Sequence, residues 1–204
     1  MSTGDVDQNV RHELLPAYTP RLDAAVQLVL HDFRRVTRKG STVPYVSHLF
    51  SVTALVAEAG GDEDQLIAAM LHDWLEDVPE STAEELERRF GPRVRRIVES
   101  CTDTQELPKP PWRERKERYL ASLPHHAPDE KLVTCADKLH NATTLVRDLR
   151  LHGPVTMDRF RGGRDGTLWY YASVADALGG QGWHHWLLTE LRVAVRDLHT
   201  LAAG

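Results

Sequence analysis

The feature that constrains this chain most is a ten-residue run, Ala68-Ala69-Met70-Leu71-His72-Asp73-Trp74-Leu75-Glu76-Asp77. It follows a helix start at Asp62, with Gln65 three residues on, and precedes a stop at Pro79. That is a capping box followed by a helix breaker. At about 100° per residue, Glu76 falls one turn beyond His72 and Asp77 one turn beyond Asp73, while Leu71, Trp74, Leu75 and Val78 take the opposite arc. Acids four residues apart repel, and a solvated helix face would place lysine or arginine there. An imidazole and three carboxylates without a basic neighbour suit a cation. The helix alone is equally open to a plainer reading, an acidic surface stripe with one chance histidine.

The rest of the chain is helical by the same kind of evidence. Apolar residues recur at helical spacing from Leu22 to Phe33, predicting a helix over about residues 21–39. A second follows Ser47 and stops at Gly60-Gly61, and the helix just described makes the third. Ser81 with Glu84 reads as a second capping box for a helix over 81–90, and Pro92 sits at a first helical position before 93–101. Further helices are predicted over 112–123, 129–149, 167–178 and 183–201. Loops are expected at 40–45, at the stiff Leu107-Pro108-Lys109-Pro110-Pro111, and at the basic, glycine-rich 159–166. Residues 1–20 carry no period and read as a tail. With no strand, repeat or linker in view, the expectation is one all-α domain, a helical bundle over residues 21–204.

Composition removes several function classes. A formal net charge of -5 argues against a general binder of nucleic acid or of membrane surfaces, although it leaves room for a local basic pocket. Cys101 and Cys135 are far apart and form no CxxC pair, so they read as buried thiols in a reducing compartment. The first residues lack a basic stretch followed by an apolar run, and no segment has the length of a membrane span. A cytoplasmic location is the expectation.

Two other segments complete the metal reading. Pro44-Tyr45-Val46-Ser47-His48 places a histidine in the first turn of a helix, after a constrained loop. Ala136-Asp137-Lys138-Leu139-His140-Asn141 supplies another acid, with Asn141 one turn further along the same face. Two imidazoles and two carboxylates make a mixed nitrogen and oxygen set that leaves positions for water and substrate.

With these pieces in order, the chain resembles the HD-domain phosphohydrolases, whose signature is H…HD…D. More narrowly it resembles the hydrolase domain of Rel/Spo-type alarmone enzymes and their small stand-alone relatives of the metazoan Spo type. The matching pieces are Arg38-Lys39-Gly40, Pro44-Tyr45-Val46-Ser47-His48, the run from Ala68 to Asp77, Phe90-Gly91, Cys101-Thr102-Asp103, Leu107-Pro108-Lys109, Arg113-Glu114-Arg115-Lys116 and Ala136 to Asn141. They span about residues 21–178. The resemblance implies that His48, His72, Asp73 and Asp137 hold a divalent metal, manganese by family habit, and that Glu76 and Asp77 orient and activate the attacking water. It implies that Arg38 packs on a purine with Lys39 beside it, and that Asn141 contacts the ribose. Lys109, Arg113 and Lys116 are expected at the phosphates, and Tyr170 at the nucleotide pocket. Phe33 and Val36 stand where relatives carry histidine and glutamine, and Val78 replaces a threonine after the acidic pair. These departures bear on the purine side, not on the metal.

The expected activity is hydrolysis of the 3′-diphosphate of guanosine tetra- or pentaphosphate to GDP or GTP and pyrophosphate, with clustered carboxylates raising one another's pKa toward the useful range. At 204 residues no synthetase domain is expected. Two alternatives stay open. One is another purine nucleotide: an adenine alarmone, a deoxynucleoside monophosphate or NADPH. The other is a nucleotide-sensing module without catalysis, against which the Glu76-Asp77 pair speaks. Other residues have bland readings: Tyr45 as loop packing, His140 as a residue behind the ligands or in packing, the five tryptophans as core, and Arg159, Arg161 and Arg164 as either solvated charge or phosphate contacts.

Overall fold

The computed structural model describes residues 18–104, 106 and 108–203. Among these, ten α-helices account for the architecture: α1 (Pro20–Asp32), α2 (Val46–Glu58), α3 (Glu63–Leu71), α4 (Trp74–Asp77), α5 (Ala83–Phe90), α6 (Pro92–Cys101), α7 (Trp112–Ser122), α8 (Pro128–His152), α9 (Gly163–Leu178) and α10 (Trp186–Ala202). Three short 3₁₀ segments join them, and β-type pairing among the described residues is limited to an isolated bridge between Thr37 and Pro44. The fold is all-α. The expected tail lies outside the described residues up to residue 17, as does Leu107.

The centre of the bundle is α3, in which every residue from Gln65 to Leu71 is buried. Such a helix is apolar all round because it has neighbours all round: α1, α2, α6 and α8 pack against it. Its start is the capping box read from sequence, with Asp62 accepting from the Gln65 amide at 3.1 Å and Gln65 accepting from the Asp62 amide at 3.0 Å. The long α8 lies against α2, α6 and α10, and α10 also packs on α9. Cys101 and Cys135 are both buried free thiols.

The third helix is not continuous, contrary to its periodicity. It stops at Leu71, and Asp73 takes φ -100° and ψ 1° before the single turn α4. His72 Nδ1 donates to the Ala69 carbonyl at 2.8 Å, the acceptor that an unbroken helix would offer to Asp73. On the far side of the break, the Trp74 indole donates to Asp32 at 2.7 Å. These contacts outweigh local propensity.

Other boundaries move for local reasons. α1 ends at Asp32 rather than near residue 39, because the chain folds back on itself: Arg38 N donates to Val43 O at 2.8 Å and Ser41 N to Arg38 O at 3.0 Å. Gly40, at φ +71°, makes that turn possible. The cap of α5 is Thr82, whose hydroxyl accepts from Glu85 N, while Ser81 bonds to the Val78 carbonyl instead. The glycine-rich stretch is shorter than expected, since α9 already begins at Gly163.

That stretch has a packing role. A Cβ on Gly162 would meet the Trp112 ring at 2.6 to 3.0 Å, and Trp112 is itself set edge-on to Trp169 at 6.1 Å and Tyr170 at 6.3 Å. Gly162 has an ordinary negative φ of -77°, so alanine there would normally stabilise by restricting the unfolded chain. Here the clash reverses the sign. Gly162→Ala should cost about 1–3 kcal/mol, an overpacking cost, readable as a lower Tm in a thermal melt.

Candidate metal centre

Three helical segments deliver the proposed ligands. Tyr45 N donates to Val36 O at 2.9 Å and Ser47 Oγ to Pro44 O at 2.8 Å, which fixes the entry to α2 and presents His48 from its first turn. The break between α3 and α4 presents His72 and Asp73, and the middle of α8 presents Asp137. The structure brings all four together. His48 Nε2 and His72 Nε2 are 3.2 Å apart. Asp73 Oδ2 lies 3.0 Å from His72 Nε2 and 3.6 Å from His48 Nε2, and Asp137 Oδ1 lies 3.5 Å and 3.2 Å from the same two nitrogens. The donor atoms of His48, His72 and Asp73 all lie within 4.8 Å of one another.

These spacings fit a metal ion. Two donors each about 2.1 Å from one ion stand about 3.0–3.4 Å apart at right or tetrahedral angles. The ring orientation fits as well, because His72 Nδ1 must carry a proton to reach the Ala69 carbonyl, which makes Nε2 the nitrogen where a metal ion would take the place of a proton. The field demands positive charge. Burial pushes His72 down, yet Asp73 and Asp137 outweigh it and hold this imidazole well above its ordinary pKa. Burial likewise raises Asp73 and Asp137, and the surrounding His72, His48 and, for Asp137, Lys138 pull both well below the carboxylate range.

Each candidate ligand is held from behind, as metal ligands generally are. His48 and His140 share a proton between their Nδ1 atoms at 2.7 Å. Asp137 accepts from Lys138 Nζ at 2.7 Å on Oδ2 and from the Asn141 amide at 2.5 Å on Oδ1. Asp73 accepts from the Tyr45 hydroxyl at 2.5 Å. Sequence reading placed His140 near the ligands but took Tyr45 for loop packing and assigned nothing to Lys138. The signal available was the spacing Tyr45-x-x-His48, one helical turn.

The other expected site residues fall into three places. Glu76 and Asp77 sit on α4 directly after Asp73, and Glu76 accepts from Lys109 Nζ at 3.0 Å. Asp77 reaches solvent, but the protein around its carboxyl and the charges of Asp73 and Glu76 push it up to about 6, with Lys109 pulling the other way. Arg38, Lys39 and Asn141 line a cavity of about 710 Å³ together with Tyr45, Arg147 and Arg159. Arg38 also donates to Asn141 Oδ1 at 2.7 Å.

Arg113, Lys116 and Tyr170 do not line that cavity. Lys116 pairs with the buried Asp103 at 2.7 Å, alongside Arg115. Arg113 lies flat on Trp169, 3.3 Å from the ring centre, and Tyr170 is buried with Lys116 4.8 Å over its ring. Arg159 lines the cavity and pairs with Asp148, whereas Arg161 and Arg164 are not part of the lining.

An all-helical bundle that brings H…HD…D side chains together from three of its segments is the pattern of the HD domain class, and the family description "HD domain" matches residues 25–159. The chain belongs to the HD domain family. Within it, the chain is 39% identical over 126 residues to the mouse (Mus musculus) guanosine-3′,5′-bis(diphosphate) 3′-pyrophosphohydrolase MESH1, an alignment covering 60% of this chain and 68% of that protein. The human (Homo sapiens) protein of the same name is 42% identical over 106 residues, 51% of this chain and 57% of its own length. Among solved structures, one described as "A metazoan ortholog of SpoT hydrolyzes ppGpp and plays a role in starvation responses" matches with a TM-score of 0.74 at 28% identity, covering 89% of this chain and 97% of that one. Among the described residues no helix is long and apolar enough to cross a membrane.

If the cluster binds a cation, that binding adds to stability. Manganese at 100 times its dissociation constant should stabilise the metal-free chain by about 2.7 kcal/mol. A thermal-shift titration should show a rising Tm that His72→Ala abolishes.

Proposed function

We propose that this chain is a metal-dependent hydrolase that removes the 3′-diphosphate of guanosine tetra- or pentaphosphate, leaving GDP or GTP and pyrophosphate, and that its native ion is manganese. The observation that carries the reading is the convergence of His48, His72, Asp73 and Asp137 beside the Glu76-Lys109 pair and a cavity rich in basic side chains. The similarity to MESH1 proteins supports the substrate.

When bound, a divalent ion lowers the pKa of a coordinated water and polarises a phosphoryl oxygen. The protein's own residues do the rest. Arg38 and Asn141, already joined to each other, shape the wall that receives the nucleoside, with Lys39 beside them. Glu76 and Asp77 follow the ligand pair by one helical turn and take the proton from the attacking water. The water oxygen bonds to the phosphorus next to the ribose, the bond from that phosphorus to the 3′ oxygen breaks, and a proton returns to the 3′ oxygen. Lys109, at Glu76, stabilises charge on the departing diphosphate. Lys116 and Arg113 are committed to Asp103 and to Trp169 and Glu117, so they act by fixing α7 rather than by meeting phosphate directly.

Two outcomes test this. Purified protein with manganese and guanosine tetraphosphate should release pyrophosphate, and Glu76→Gln should lower kcat by about 100-fold or more with the metal retained, the usual weight of a general base. Activity within a few-fold of wild type would remove Glu76 from that role.

The second outcome is pH dependence. A base whose pKa is raised works only above that pKa, so activity falls as pH drops through it. Lys109 pulls Asp77 down, and Lys109→Ala therefore moves the acid limb of kcat/KM to higher pH relative to wild type, whatever the ion adds to both.

A further inference from the structure

We propose that Tyr45 is a positioning residue for the cation, acting through Asp73, and that it joins the metal centre to the wall of the cavity. The proposal rests on the metal reading above. The Tyr45 hydroxyl donates at 2.5 Å to Asp73 Oδ2, the oxygen that lies 3.0 Å from His72 Nε2 and 3.6 Å from His48 Nε2. Of the four ligands Asp73 is the least confined, with 20% of its side chain exposed against at most 4% for the others. It also stands at the break between α3 and α4, where the backbone gives its side chain no regular helical direction. This carboxylate is thus the most exposed of the four, and a hydroxyl fixed in space restricts how it turns.

Tyr45 is fixed. Its ring stacks on the buried Phe33 at 5.4 Å and 12°, and meets His48 edge-on at 5.6 Å. Its amide is tied to the Val36 carbonyl at 2.9 Å. A donor on an ordered ring orients its acceptor without a further entropic cost of its own. The same ring lines the cavity and carries the Arg38 guanidinium 5.7 Å above it. Arg38 reaches the other acid too, through Asn141 to Asp137 Oδ1. Both carboxylate ligands are thus tied to one side of the cavity, Asp73 through Tyr45 and Asp137 through Asn141.

Tyr45→Phe keeps the ring and the stack and deletes only the hydroxyl. Manganese binding to the metal-free chain, followed by loss of the free-ion signal in electron paramagnetic resonance, should weaken about 10- to 100-fold, the usual effect of losing such a partner. The Tm of the metal-free variant should change little. Phe33→Leu is the companion, removing the stacking partner but not the hydroxyl; it should lower Tm and weaken manganese less than Tyr45→Phe does. Binding as tight as wild type in Tyr45→Phe overturns the proposal. So does a Tyr45→Phe chain that no longer folds, because the hydroxyl would then hold the fold rather than the ligand. A wild-type chain that takes up no manganese removes the metal reading and this role with it, a failure visible before any variant is compared.

Discussion

Everything in this molecule is arranged around one cost, that of burying Asp137 and Asp73 beside two imidazoles. Removing carboxylates from water is expensive unless positive charge and hydrogen bonds compensate. Asp137 has only 4% of its side chain exposed and faces both His48 and His72. Lys138 and Asn141 take up part of that demand from behind. What remains is a negative field strong enough to hold His72 far above its ordinary pKa in spite of complete burial. A bundle could have filled this space with leucine. Keeping acids there makes sense as the seat of a cation.

The packing follows from that requirement. Candidate ligands from three distant segments meet because those segments share a packed neighbour, α3, which is buried from Gln65 to Leu71. α2 and α8 both pack against it, so His48 and Asp137 approach His72 from elements with a common neighbour. The cavity forms on the side where the turn around Gly40 faces α8, and its lining shares Tyr45, His140 and Asn141 with the groups behind the ligands. The cavity wall and the candidate metal centre therefore share Tyr45, His140 and Asn141.

Much of this was legible in the sequence, and the exceptions have physical causes. The cap at Asp62, Pro92 at a first helical position and the apolar spacing of α3 are local features, and local features are what a sequence displays. The four candidate ligands could be picked out because their residue types, in order, have few other uses together, and the structure brings their side chains to one place. The break at His72-Asp73 was not readable, because it depends on a ring nitrogen bonding back to Ala69 and on Trp74 reaching Asp32 in another helix. The early end of α1 depends on the return of the chain from Arg38 to Val43. The packing read for Tyr45 is present in its stack on Phe33, but the bond from its hydroxyl to Asp73 was hidden for the same reason, since the partner lies in another helical segment. The basic residues of α7 were placed by resemblance at the phosphates, and whether a lysine is free or paired with Asp103 is decided only by tertiary contact.

One measurement bears most directly on the central claim. Crystals of the chain grown with manganese, with diffraction collected at the manganese absorption edge, should give a single anomalous peak at bonding distance from His48 Nε2, His72 Nε2, Asp73 Oδ2 and Asp137 Oδ1. A peak elsewhere, or none there with a lysine or arginine head group filling the space, would contradict it.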